Sequence, residues 1–297
     1  MNKKLHLTSL DAGVVLLLAA LLAYLGYRTT AVLHYRWNWS VIPLYLFRYD
    51  PEEGRWVTNL LMEGFLTTIR LSLWTTVLAL PLGVAMALLR ISGSLFRRMA
   101  GRTYVELVRN IPPLVLIFIF YFFISDQIMT ALRVDTWVLS RSEETQSLIA
   151  FLFAPPGRFS AFLSALLTMV IYEGAYMTEI IRGGIQSIDR GQWEAAAASG
   201  LTRRQQMRFV IFPQAIPRII PPLAGQLIST IKDSAIVSVI SIQELTFQGM
   251  ELMAATYLTF EVWITVTALY FILTFCCSLI MRYLEVTMQK RGYPAPE

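Results

Sequence analysis

The chain has 297 residues, of which 56% are hydrophobic and only 15% charged, and its mean hydropathy is +0.55. Soluble proteins carry about 25% charged residues, so most of this chain is not expected to face water. A disordered chain is excluded because such chains are rich in charge and poor in aromatic residues, and the same lack of charge argues against a large soluble enzyme. The net charge of +5 does not indicate nucleic-acid binding. The basic residues lie in short loops between apolar runs, as they do in membrane proteins.

Six apolar runs approach the length of about 20 residues that a helix needs to cross a bilayer. In chain order they cover about residues 11–28, 65–89, 111–125, 159–181, 219–242 and 262–281. The first run is short and follows Lys3 and Lys4, so it is either a membrane anchor or a cleaved signal peptide. We favour the anchor, because no A-x-A cleavage site follows it. The sequence therefore predicts an all-α, polytopic membrane protein with about six transmembrane helices.

Lysine and arginine residues indicate how the chain is oriented. With the N-terminus inside, the inner segments hold sixteen of these residues and the outer segments hold seven. Since positive charge accumulates on the cytoplasmic side, we expect both termini to be cytoplasmic. Tyrosine and tryptophan residues of the first outer loop, such as Trp37 and Trp56, suit the lipid headgroup layer.

The few reactive residues do not indicate catalysis. Cys276 and Cys277 are adjacent inside an apolar run, and the two histidines, His6 and His34, lie outside the later spans. We therefore expect no metal site, no cofactor and no nucleophile–base pair. The sequence also lacks the G-x-x-x-x-G-K-[ST] phosphate loop, so this chain is not expected to bind ATP in that way. These features favour a membrane protein that is not itself an enzyme.

The segment between the fourth and fifth spans has the pattern of two short helices joined by a sharp turn. Asp189 is placed to cap the first helix with its carboxylate. Residues 192–199 are strong helix formers, and Gly200 suits the left-handed position that ends a helix. Thr202 would cap a second helix that we expect to stop at Pro213. Four successive alanines would let another protein approach the first helix closely, and the alternative is a helix lying on anionic lipid headgroups.

Four ionisable residues lie within the predicted fourth and fifth spans. Charged residues inside a membrane usually face the protein interior or a water-filled path. A zwitterionic amino acid could place its ammonium group on Glu173 and its carboxylate on Lys232, with Asp233 also on the path. The alternative is internal pairing, in which Asp233 or Lys232 pairs with another helix. For Glu179 we expect a pair with Arg182, three residues later.

The inner segment resembles the coupling loop of a known transporter family. Glu194-Ala195-Ala196, with Gly200 six residues and Pro213 nineteen residues after Glu194, is similar to the EAA loop of the membrane subunits of ABC importers. Further stretches resemble the core spans of the polar amino acid permease family, which covers histidine, glutamate, glutamine, arginine and opine uptake. These stretches are residues 64–72, 104–112, 174–184 and 232–240.

This resemblance implies a type I ABC importer permease in the bacterial inner membrane. A five-helix core would cover residues 58–288, with the coupling loop at 183–213. Residues 1–57 would hold a cytoplasmic tail, an extra transmembrane helix and the first periplasmic loop, and residues 289–297 would form a second cytoplasmic tail. The implied partners are cytoplasmic ATP-binding subunits, a periplasmic amino acid-binding protein, a second permease subunit and the lipid bilayer.

The resemblance also assigns roles and leaves alternatives open. Glu194, Ala195, Ala196 and Gly200 would couple the chain to the ATP-binding subunits. The main alternative is a secondary transporter driven by an ion gradient, which would use intramembrane carboxylates and often contains an internal repeat. We find no such repeat, and that reading would leave the EAA-like loop unexplained. The identity of the transported amino acid, and whether the second permease is an identical chain, stay open.

Overall fold

A computed structural model describes residues 9–28, 31, 35–52 and 54–290. Lys3, Lys4, His6 and His34 lie outside the described residues, as does most of the predicted C-terminal tail. Internal contacts divide the chain into two units, Met1–Pro43 and Leu44–Glu297. The predicted boundary between the N-terminal region and the core, at residues 57 and 58, stays a prediction.

Among its described residues, the first unit contains the long helix α1 (Ser9–Tyr27) and a 3₁₀ turn at Trp39–Val41. The 19 residues of α1 correspond to about 28 Å of helix. Leu10–Leu21, with Asp11 near its start, is the apolar part of α1 among the residues whose side chains are described, and it is not among the candidate spans. The extra transmembrane helix therefore stays a prediction.

A β-hairpin precedes the first core helix, and the sequence analysis did not predict it. The short helix α2 (Ile42–Leu46) leads into β1 (Phe47–Asp50), which pairs antiparallel with β2 (Arg55–Thr58). Gly54 lies at the turn with a φ of 62°. The hairpin is fixed to the start of the next helix by Asn59, whose side-chain amide donates to the Leu44 carbonyl at 2.6 Å.

Five helical segments are long and apolar enough to cross a membrane, within the part of the chain that the structure describes. The first is α3 (Leu60–Arg90), and the helix α4 (Leu95–Asn110) follows it. The helices that follow are, in order, α5 (Pro113–Phe118) with a π-helical turn at Ile119–Ser125, α6 (Asp126–Ala131), α7 (Val134–Leu139), α8 (Glu143–Leu152), α9 (Phe159–Gln186), α10 (Arg190–Ala198), α11 (Arg203–Gln206), α12 (Phe212–Asp233) with a 3₁₀ extension at Ser234–Ile240, α13 (Leu245–Thr256) and α14 (Thr259–Lys290). Of these, the other four candidate spans are α5 with α6, α9, α11 with α12, and α14. These segments confirm the last five predicted spans, although the helices extend several residues beyond the apolar runs.

The second short helix does not stop at Pro213, so that part of the prediction is wrong. The chain continues from α11 through a π-helical turn at Met207–Ile211 into α12 without a break. Pro213 lies directly after this turn, at the start of α12. The wider π turn just before it changes the hydrogen-bond register and so accommodates the proline. As a result, the second short helix and the fifth predicted span form one continuous helical unit.

Helix α9 is the central element of the second unit, and it packs against α3, α4 and α12. Its N-terminal half contributes Phe162 and Met169 to an apolar core that also includes Leu71 of α3. Its C-terminal end contributes Ile181 and Ile185 to a second apolar core. That second core includes residues of α12 and of the inner loop, so it connects the membrane helices to the predicted coupling segment.

Candidate functional site

The inner segment forms the short helix that its sequence predicts. The Asp189 carboxylate accepts a hydrogen bond from the Gly191 N–H at 2.6 Å and caps α10. At the other end Gly200 has a φ of 75°. Its N–H donates to the Ala197 carbonyl at 3.0 Å, and the next N–H, of Leu201, donates to the Ala196 carbonyl at 3.3 Å. This pair of bonds is a Schellman motif. The Thr202 side chain accepts from the Gln205 N–H and caps α11. The two predicted caps and the predicted glycine turn are therefore confirmed.

The four proposed coupling residues do not all face the same way. Glu194, Ala195 and Gly200 are exposed, whereas Ala196 is 4% exposed. The exposed Glu194 carboxylate accepts from Arg190 at 2.9 Å, one turn earlier. Glu194, Ala195 and the Gly200 turn can therefore contact another protein directly. Ala196 instead allows α10 to pack closely against the rest of its own chain.

Side chains on both sides of α10 tie it to the membrane helices. Trp193 packs against the second apolar core, and the guanidinium of Arg203 lies 4.8 Å from the centroid of the Trp193 ring. The Gln214 amide of α12 donates to Gln192 at 3.1 Å. Arg218, one turn further along α12, donates to the backbone and side-chain oxygens of Ser187. A force on α10 is therefore passed to α12 through several contacts rather than through a flexible loop.

Helices α9 and α12 touch closely at the level of this segment. A methyl group added to Gly184 of α9 would overlap the Ile219 side chain of α12. The backbone of α9 lies directly against this side chain, and this close approach requires a glycine. The two membrane helices and α10 thus form one packed group.

The structure brings two of the three proposed substrate-path residues together. Glu173 of α9 is fully buried, and its Oε2 accepts from the Gln226 amide of α12 at 2.7 Å. Thr230 and Asp233 of α12 lie beside the same carboxylate. Its second oxygen, Oε1, has no hydrogen-bond partner among the described residues. Asp233 thus lies beside a carboxylate of another helix and not beside a group of opposite charge, and Lys232 is exposed. The expected pairing of Asp233 or Lys232 with another helix stays a prediction.

The expected pair between Glu179 and Arg182 is present. Arg182 Nη2 lies 2.7 Å from Glu179 Oε2, and Arg90 of α3 contacts the other oxygen of the same carboxylate. Glu179 thus joins the C-terminal ends of α3 and α9. This is a structural role, as the sequence analysis predicted.

One charged group was missed because Arg109 was assigned to a cytoplasmic loop. Helix α4 instead packs along α9, where Tyr104 donates to the Ile171 carbonyl at 2.7 Å. Val108 packs near Tyr172, and the Arg109 guanidinium lies 5.2 Å from the Tyr176 ring centroid. The buried residues of α4 recur at spacings of three and four, which was the signal available in the sequence.

Glu244 was also missed, because it follows the fifth predicted span without any recognisable motif. It is fully buried at the start of α13. Its carboxylate accepts from the Thr246 and Phe247 N–H groups at 2.9 and 2.8 Å and from the Tyr270 hydroxyl at 2.7 Å. A hydroxyl of α3, on Thr68, completes the set at 3.3 Å. Glu244 therefore fixes α13 to both α3 and α14.

Comparison with known proteins identifies the family. Residues 79–290 match the family described as binding-protein-dependent transport system inner membrane component. The chain belongs to this family. A probable glutamine ABC transporter permease protein, GlnM of Bacillus subtilis (strain 168), is 34% identical and is matched over 78% of this chain and 94% of the relative. The glutamine transport system permease protein GlnP of Escherichia coli (strain K12) is 33% identical over 77% and 93% of the two chains. A crystal structure of an amino acid ABC transporter with histidines matches 77% of this chain and 94% of that chain, with a TM-score of 0.61 and 32% identity.

Membership of this family confirms several predictions at once. The chain is an integral, multi-pass component of the inner membrane, and it is a transport component rather than an enzyme. Its relatives are permease subunits of ABC transporters, so the resemblance seen in the EAA-like loop is confirmed. Permeases of this kind work with ATP-binding subunits and with a substrate-binding protein.

Proposed function

We propose that this chain is the permease subunit of an ATP-driven importer that carries a polar amino acid from the periplasm to the cytoplasm. The observation that carries the proposal is the exposed, rigidly attached helix α10, which ends in the Gly200 turn. The names of the relatives support glutamine and similar amino acids as substrates. A second permease subunit, identical or related, completes the translocation path.

The proposed coupling follows from how α10 is held. Glu194, Ala195 and Gly200 present the contact surface for an ATP-binding subunit, and Ala196 allows α10 to pack closely on its own chain. Closure of the ATP-binding subunits on ATP moves α10, and the contacts to α9 and α12 move these helices with it. The permease pair then changes between two states, because ATP and substrate bind the two states with different free energies.

For the substrate path we propose the cluster around Glu173. Glu173 and Asp233 supply negative charge for the ammonium group of the substrate, and the unpartnered Glu173 oxygen is the available acceptor. Lys232, on the exposed side of α12, supplies positive charge for a carboxylate. Because Glu173 is fully buried, this role requires α9 and α12 to separate during the transport cycle.

The function is tested by reconstitution in proteoliposomes. The chain is purified with its ATP-binding subunit, and uptake of radiolabelled L-glutamine, L-glutamate and L-histidine is measured with the binding protein outside and ATP inside. We expect uptake that requires ATP and is insensitive to ionophores. Uptake that is driven by a sodium or proton gradient without ATP would instead support the secondary transporter. Mass spectrometry of the purified complex shows whether one or two different permease chains are present.

The substrate path is tested by variants of the same complex. We expect Glu173→Gln to keep the hydrogen bond to Gln226 but to raise the KM for uptake at least tenfold, because the negative charge is lost. Gln226→Leu serves as the matched control, since it removes the hydrogen bond and keeps the charge. A KM for Glu173→Gln equal to that of the unaltered complex would contradict the role of Glu173.

The proposed orientation, with both termini in the cytoplasm, is tested by cysteine labelling in intact cells. Single cysteines replace Trp56 in the hairpin and Gln192 in α10, in a chain without the two natural cysteines. We expect a membrane-impermeant maleimide to label position 56 before lysis and position 192 only after lysis. The reverse pattern would contradict the orientation.

A further inference from the structure

A polar cavity lies between α3, α4 and α9, apart from the Glu173 cluster. Its volume is about 270 Å³. It is lined by Arg90, Val105, Glu106, Arg109, Asn110 and Glu179. We call it the α3–α4–α9 cavity.

The position of this cavity places it beside the membrane-spanning part of α9. Val108 of α4 packs near Tyr172 and Ala175, which lie in the middle of α9. The next residue, Arg109, lies over the ring of Tyr176. Charged side chains at this depth face the protein interior or a water-filled path, because contact with lipid tails is costly. The cavity is therefore expected to open toward the translocation path.

The charges that line the cavity are balanced. They comprise two guanidinium groups and two carboxylates, together with the Asn110 amide. Such a lining disfavours a simple anion or a simple cation, since either would leave charges of one sign without a partner. It favours a ligand that carries one charge of each sign.

Two of these four charges are already engaged. Arg90 and Glu179 contact each other, and Glu179 also binds Arg182. The other two charges, Glu106 and Arg109, are three residues apart on α4 and so lie on the same face of the helix. Within the described parts of the chain they form no ion pair with each other or with Glu179.

Arg109 and Glu106 suit the two ends of an amino acid head group. Arginine binds a carboxylate through two parallel hydrogen bonds, and the Tyr176 ring supports the guanidinium while leaving its edge available. Glu106 accepts from the Asn110 amide at 2.9 Å and has only a long contact of 3.8 Å with the exposed Arg102. An ammonium group can therefore approach the Glu106 carboxylate.

We propose that the α3–α4–α9 cavity binds the head group of the transported amino acid, with Arg109 binding its carboxylate and Glu106 binding its ammonium group. This assignment rests on the proposed function, and it makes the cavity a binding site on the cytoplasmic side of the Glu173 cluster. A zwitterionic phospholipid head group, with one phosphate and one ammonium, has the same charge pattern. The test therefore has to distinguish binding of the amino acid from binding of such a lipid head group.

The experiment measures direct binding to the permease–ATPase complex in nanodiscs made of phosphatidylglycerol, without the binding protein. The probes are radiolabelled L-glutamine, its carboxamide L-glutaminamide and its N-acetyl derivative, tested by equilibrium dialysis up to 10 mM. We expect the unaltered complex to prefer L-glutamine to each derivative at least tenfold. Arg109→Gln should remove the preference over the carboxamide and keep the preference over the N-acetyl derivative. Glu106→Gln should remove the preference over the N-acetyl derivative and keep the preference over the carboxamide.

A matched control and a separate transport assay make the outcomes distinct. Arg97→Gln, on an exposed position of α4, should leave both preferences unchanged. A misfolded variant would lose binding of all three probes together, whereas the proposal predicts the loss of one preference at a time. Rescue of part of the carboxylate preference by Arg109→Lys would support the same conclusion.

Three results would overturn the proposal. They are the absence of L-glutamine binding to the unaltered complex, unchanged preferences in both variants, or co-purified phosphatidylethanolamine that is lost from Arg109→Gln while amino acid binding is unaffected. If any of these is found while proteoliposomes still import an amino acid with ATP, the cavity assignment fails and the proposed function stands. If the proteoliposomes import no amino acid, the proposed function itself fails.

Discussion

The Gly200 turn offers the sharpest test of coupling, because strain can be introduced there without any steric overlap. Gly200 has a φ of 75°, and a β-carbon at this position would meet no atom within 4 Å. The cost of a substitution therefore comes from the backbone alone. It amounts to about 1–2 kcal/mol for an L-residue in the left-handed region, and it is larger for a β-branched side chain. Such an energy changes the population of the turn by a factor of roughly 5 to 30.

We expect Gly200→Val to insert normally and to lose coupling. Binding-protein-stimulated ATP hydrolysis and amino acid uptake should each fall at least fivefold, while the amount of permease in the membrane stays the same. Gly200→Ala should have a smaller effect, and Gly200→Asn the smallest, because asparagine tolerates the left-handed conformation. The assay measures ATP hydrolysis and uptake together in proteoliposomes, so the ATP used per amino acid imported is obtained directly.

Gly183→Ala is the matched control for this series. Gly183 lies in the last turns of α9 with open space around it, and its helical backbone accepts alanine without strain. Its activity should stay within a factor of two of the unaltered chain. Normal coupling in Gly200→Val, or an equal loss in Gly183→Ala, would refute the argument that the left-handed turn sets the angle of α10.

Two further predictions concern the packing of the membrane helices. Gly184→Ala should force α9 away from Ile219 of α12 and lower the free energy of unfolding by about 1–3 kcal/mol, as overpacking does. Thermal unfolding in detergent measures this loss. If the overlap is its cause, adding Ile219→Ala to this variant should restore stability. Glu244→Ala should lower the melting temperature more than Tyr270→Phe does, because it removes the α13 cap, worth about 0.5–2 kcal/mol, and all four hydrogen bonds of the buried carboxylate. Equal effects of these last two variants would mean that the Tyr270 bond alone carries the stabilisation.

Much of the function was readable from local patterns. The spans follow from runs of apolar residues, whose length relates directly to bilayer thickness. The caps at Asp189 and Thr202 and the turn at Gly200 depend on residues within one or two turns of each other, so their chemistry is visible in a short stretch of sequence. The spacing of Glu194, Gly200 and Pro213 pointed to the transporter family, and the comparisons confirm that family.

The contacts between distant segments depended on the tertiary structure. The expected stop at Pro213 was wrong because a π-helical turn just before it carries the chain into α12, and such a register change leaves no clear mark in the sequence. The pairing of Glu173 with Gln226, 53 positions away, and the burial of Glu244 against Tyr270 arise only when the helices pack. Local sequence determines which residues can form a helix or a turn, because the interactions that select them are short-range. Which charges meet in the membrane is decided by how those helices pack.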